Sequence, residues 1–70
     1  MRGLKYFMLS HQSLMLYRDF MKTIAKIPDQ ETQSEIKSQV KNDFIKYRQI
    51  EDLSQMEYLI VTGRKQLKQL

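Results

Sequence analysis

Seventy residues make one domain, spanning residues 1–70, with a thin core, because a chain this short buries only a modest fraction of its surface. With no cysteine it has no disulfide, thiolate nucleophile or cysteine metal ligand, and with no apolar run of about 18 residues it has no membrane-spanning helix. Twelve Lys and Arg against eight Asp and Glu leave a net charge of +4, which favours an acidic partner: nucleic acid, anionic lipid or an acidic protein.

With two glycines and one proline, the sequence has few places to stop a helix, and three helices are expected. The first runs from Leu4 to about Ile27 and ends at Pro28, which cannot continue it and biases Ile27 out of helical geometry. Its opening, "MRGLKYFMLSHQSLMLYR", holds Arg2, Lys5 and His11 and no acid before Asp19. That bias fits a mitochondrial targeting helix as well as an ordinary first helix, and both can hold. At about 100° per residue, Tyr6, Phe7, Leu9, Leu14, Leu16, Tyr17, Phe20, Met21, Ile24, Ala25 and Ile27 cover half of the circumference. Arg18 lies just past that edge and shares it with His11 and Lys22, as a basic margin along an apolar face.

The polar link "PDQETQSE" offers Asp29 or Thr32 as N-cap of the second helix, with Thr32 and Glu35 at capping-box spacing. This helix extends to about Arg48 with an apolar stripe of Ile36, Val40, Phe44 and Tyr47. Lys37, Lys41 and Arg48 fall within roughly 60° of Phe44 on one side, so a second apolar stripe carries a basic margin. Two such helices suit a ligand with an apolar tail and an anionic head; a solvated basic face gives the same pattern.

A break at "QIED" follows, with Asp52 as cap, and the third helix runs to the end of the chain. Leu53, Met56, Ile60, Gly63, Leu67 and Leu70 form its seam at steps of three and four. A glycine inside a helical seam costs roughly 1 kcal/mol against alanine, so at Gly63 either something approaches closely or a space is left open. Both connections are short, which favours antiparallel neighbours. The expected fold is all-α, an antiparallel three-helix bundle.

Catalysis finds little support. There is one histidine, no glycine-rich phosphate loop and no Glu/His spacing of a helical metal site, so no enzyme activity and no metal are expected. Asp43 and Glu51 read as surface acids.

Leu16, Tyr17 and Arg18 spell the tripeptide of the LYR-motif (complex 1 LYR-like) proteins, which are small basic three-helix proteins of mitochondria. The rest of the chain resembles the family too: Pro28 after the first helix, "VKNDF" with Lys41 three residues before Phe44, and "LIVTGRKQLKQL" with Gly63 and Leu67. It departs at Ile45 and Tyr47, where relatives often carry arginine and asparagine. The resemblance implies an adaptor that binds mitochondrial acyl carrier protein, an acidic helical protein whose acyl-phosphopantetheine arm enters a tunnel between the helices. That arm is the carrier's, and the chain has no cofactor of its own. By position, Tyr17 and Arg18 would face the prosthetic group and carrier surface, Lys41 would add charge there, and Phe44 would stand by the tunnel. The helical wheel adds Lys37, Arg48, His11 and Lys22 to the basic margins, and Leu14, Met21, Val40, Ile60 and Gly63 to the tunnel lining. The implied role is accessory subunit or assembly factor of a respiratory complex, with complex I the expected client, in the mitochondrial matrix or on the matrix face of the inner membrane.

Charge and helix count also fit a small basic nucleic-acid-binding domain. Such folds use shorter, steeply crossing helices and a recognition helix crowded with base-reading side chains. The third helix here is acidic at its start and heptad-patterned, so no nucleic-acid partner is expected. A peripheral membrane helix formed by the basic amphipathic first segment is a third reading.

Overall fold

The computed structural model describes residues 3–70, so the Arg2 of the acid-free opening lies outside the described residues. The described chain is all-helical, with three helices and no strand: α1 Leu4–Ile24, α2 Gln30–Tyr47 and α3 Leu53–Lys68. α1 stops three residues before the expected Ile27. Beyond Ala25 the backbone tightens, with Lys26 N–H donating to Thr23 O at 3.1 Å and Ile27 N–H to Ile24 O at 3.0 Å. Pro28 is the cause, because it excludes the helical conformation from the residue before it.

At the start of α2 the Asp29 carboxylate caps the helix, accepting from Thr32 N–H at 3.3 Å and from the Thr32 hydroxyl. Thr32 is therefore a donor to the cap. α2 ends at Tyr47 with Arg48 as C-cap, one residue short of the expected end. Asp52 caps α3 as expected, accepting from Ser54 N–H at 3.0 Å, and Gln69 closes it just before the chain end.

The two hydrogen bonds from Thr32, its hydroxyl first, hold the Asp29 carboxyl below its ordinary value of 3.8. With the folded value depressed, the unfolded chain takes up the proton first, so the cap stabilises fully above the ordinary value and is lost as pH falls through the lower folded one. Asp29→Ala should therefore lower the melting temperature at neutral pH. In circular-dichroism melts across a pH series, the gap between wild type and variant should close below about pH 4. A gap that persists in acid would show that the carboxylate is not the stabilising group.

α1 packs against both α2 and α3, while α2 and α3 touch only slightly. The buried side chains form two clusters along α1. Near its start, Leu9 packs with Tyr47, Met56 and Ile60; further on, Leu16, Phe20 and Ile24 pack with the half-buried Ile36, Val40, Phe44 and Leu67. The stripe expected on α2 is thus the stripe that packs. The seam expected on α3 holds from Leu53 to Leu67, whereas Leu70 is exposed. The apolar half assigned to α1 is too wide: Phe7, Leu14 and Ala25 are exposed, because its two neighbours cover a narrower arc than its apolar residues occupy.

Ion pairs mark the outer edge between α1 and α3, with Lys5 Nζ 2.6 Å from Glu57 Oε1 and Arg64 Nη1 3.0 Å from Asp19 Oδ2. Toward α2, Gln33 Nε2 donates to Ile24 O at 3.2 Å, and Tyr17 and Phe20 meet Phe44.

Candidate functional site

Because α2 and α3 barely meet, space remains beside their facing sides. Two grooves occupy it. The larger, about 680 Å³, runs along α1 and α2; Tyr6, Ser10, Ser13, Leu14 and Tyr17 line it from α1, and Lys41, Phe44 and Arg48 from α2. The smaller, about 420 Å³, lies between α2 and α3 over Leu16 and Phe20, with Val40, Phe44 and Tyr47 on one wall and Leu59, Thr62 and Gly63 on the other. Phe44, Tyr47 and Ile50 line both, so one short wall separates a groove rimmed by Lys41 and Arg48 from one with an apolar floor whose exposed rim carries Asp43, Lys46, Gln55 and Gln66.

That wall is held by aromatic contacts and one hydrogen bond. The Phe44 ring meets Tyr17 at 5.0 Å and 74°, Phe20 at 6.3 Å and 66°, and Tyr47 at 5.9 Å and 34°. The Tyr17 and Phe20 contacts are edge-on, and such pairs are each worth about 0.5–1.5 kcal/mol beyond their burial. The buried Tyr47 hydroxyl donates to Met56 O at 2.9 Å, tying the end of α2 to the first turn of α3. Burial pushes the Tyr47 phenol above its ordinary value, which keeps it a donor.

Gly63 is a place of close approach. A Cβ built there would stand 2.6 Å from Leu16 Cδ2, nearer than real side chains come, so Leu16 occupies the space that the missing side chain leaves. Of the two readings of this glycine, tight packing applies, and the same residue also lines the smaller groove.

Tyr17, Lys41 and Arg48 are brought together on the larger groove, with Leu14 beside them. Val40, Phe44 and Gly63 are brought together on the smaller one. Met21 packs on the Leu16–Phe20–Ile24 cluster and Ile60 is buried with Leu9 and Met56; neither lines these two grooves. Arg18, His11, Lys22 and Lys37 are exposed and also line neither.

Periodicity alone misses Ser10, Ser13, Leu59 and Thr62. The serines are polar and are found only where the larger groove runs along α1, while Leu59 and Thr62 sit off the α3 seam and are found only where the smaller groove opens between α2 and α3. Among the described residues no group of His, Asp or Glu could hold a metal ion, and no helix is long and apolar enough to cross a membrane.

A family model described as Complex 1 protein (LYR family) matches residues 11–69, which include Leu16–Tyr17–Arg18, both grooves' α2 wall and Gly63. No curated protein and no solved structure gives a significant match. With most of its length matched, the chain belongs to the complex 1 LYR protein family.

Proposed function

We propose that this protein is a non-enzymatic adaptor that receives the acyl-phosphopantetheine arm of an acidic mitochondrial acyl carrier protein. The observation that carries the reading is the meeting of the two grooves at Phe44: Lys41 and Arg48 rim the larger, and the smaller has an apolar floor of Leu16, Phe20, Val40 and Phe44 inside a polar rim that includes Asp43 and Lys46. The phosphate and the carrier's acids match the cations, and the acyl chain matches the apolar floor of the smaller groove, which then serves as the tunnel. The order of contacts supports an antiparallel bundle around it. Ile24 meets Gln33 and Tyr17 meets Phe44, in opposite chain sense, while Lys5 meets Glu57 and Asp19 meets Arg64 in the same sense.

Family membership supports a role as accessory subunit or assembly factor of a respiratory complex in the matrix. The spacing from Leu16 through Phe44 to Gly63 most resembles LYR motif-containing protein 2, and complex I is the proposed client on that likeness.

Calorimetric titration with acylated carrier tests the site. Each charge-assisted contact is worth about 1.5–3 kcal/mol, so Lys41→Ala and Arg48→Ala should each weaken binding at least about tenfold while the free chain melts as before. Arg18→Ala, beside Tyr17 on the carrier's edge, should also weaken it. Unchanged affinity in all three would sink the assignment. Association should slow with rising ionic strength while dissociation changes less; stopped-flow rates that are flat with salt would leave the basic margins as solvated faces.

A further inference from the structure

α1 has a side that neither helix covers. At about 100° per residue, Leu4, Phe7, Met8, Leu14 and Met15 fall in one arc of about 120°, and all are exposed, Leu4 at 77 % and Phe7 at 61 %. The other residues of that arc are His11, Arg18 and Lys22, also exposed. It holds no acid, and its polar residues are His11, Arg18 and Lys22. Leu14 stands at the edge shared with the larger groove, and the others do not line it.

The face continues across the seam onto α3. Beyond Glu57 and Arg64, the next residues round the helix are Lys68 and Val61, 55 % exposed, followed by Ser54, Lys65 and Tyr58. The acids along the seam are neutralised, Asp19 by Arg64 and Glu57 by Lys5. Exposed apolar surface of this extent marks an interaction site. Its shape is a convex ridge outside both grooves, and every free charge along the α1 arc is positive.

We propose that this outer face of α1, extended by Val61 and Lys68 of α3, docks on an anionic lipid surface. A bilayer surface needs no groove in its partner. Leu4, Phe7, Met8 and Met15 enter the headgroup region, and Lys22 and Lys68 meet lipid phosphates, the arrangement of an interfacial amphipathic helix. Docking this way leaves the smaller groove facing away from the membrane.

The test is flotation of the full chain with vesicles of phosphatidylcholine alone or mixed with phosphatidylglycerol. Each cation near an anionic surface multiplies partitioning roughly fivefold. Wild type should float with the anionic vesicles only, and should be released as salt shortens the screening length from about 10 Å at 0.1 M to about 3 Å at 1 M. Phe7→Gln/Met8→Gln and Lys22→Glu/Lys68→Glu should each lose at least about tenfold in partitioning, with helicity by circular dichroism unchanged. Lys37→Glu/Lys46→Glu, with the same change in net charge on another helix, should keep binding. Equal loss in that control would reduce the effect to net charge and overturn the proposal. So would absence of binding to anionic vesicles, or sedimentation showing that the face is covered by a second copy and released by Phe7→Gln/Met8→Gln. Carrier titration of the Phe7→Gln/Met8→Gln variant, whose two residues lie outside both grooves, should give the wild-type affinity, which keeps lipid docking separate from the acyl-carrier reading.

Discussion

Leu16→Ala is expected to be among the most destabilising substitutions in the chain, by about 2–5 kcal/mol. Leu16 is 2 % exposed, belongs to the cluster that holds α1 to α2, and fills the space over Gly63. A loss of that size is a large part of the roughly 5–15 kcal/mol that stabilises a small domain. The partner change, Gly63→Leu, overpacks the same point and should cost about 1–3 kcal/mol or more, because a Cβ alone would already stand 2.6 Å from Leu16 Cδ2. The two changes compensate in volume, so the double variant Leu16→Ala/Gly63→Leu should be less destabilised than the sum of the singles by at least about 0.5 kcal/mol. Urea unfolding of the three variants measures this. Strict additivity would mean that the two residues do not share one space.

The other large effect is stabilisation by ligand. Each buried methylene is worth about 0.8 kcal/mol, so a tail of roughly 14 carbons contributes on the order of 10 kcal/mol as an upper bound, before ordering costs. Binding to the folded chain alone raises the melting temperature by an amount that grows with the logarithm of the affinity. Carrier bearing a long acyl chain should therefore raise it well above the value with the carrier's bare phosphopantetheine arm. Gly63→Leu, which drives a side chain toward the smaller groove, should lose most of that difference. Equal stabilisation of the wild type by both carrier forms would leave a surface adaptor with no chain inside it.

Local chemistry made the three helices and their limits legible: Pro28, Asp29 and Asp52 act where their types require. The stripe Ile36–Val40–Phe44–Tyr47 was legible because α2 has one packed side. α1 was harder to read. Its apolar residues serve two buried clusters and an exposed face, and periodicity reports which residues are apolar without reporting what covers them; hence Phe7 and Leu14 were placed with the core.

At the site, Tyr17, Lys41, Arg48 and Phe44 were legible from motif and wheel. The division into two grooves was not, because it arises from how little α2 and α3 touch. Tyr47, read in sequence as a departure from the family's pattern, stands in the wall between the grooves and ties α2 to Met56. The close approach at Gly63 was one of two readings, and only the position of Leu16 decides it.

The most direct test of the central claim is photo-crosslinking with a carrier whose phosphopantetheine arm bears an acyl chain with a diazirine near its end. The crosslinks are then mapped by mass spectrometry. Labels are expected on residues of the smaller groove, Val40, Phe44, Leu59, Thr62 and Gly63, and should be lost in Gly63→Leu. Labels confined to exposed residues, or to the carrier itself, would contradict that claim.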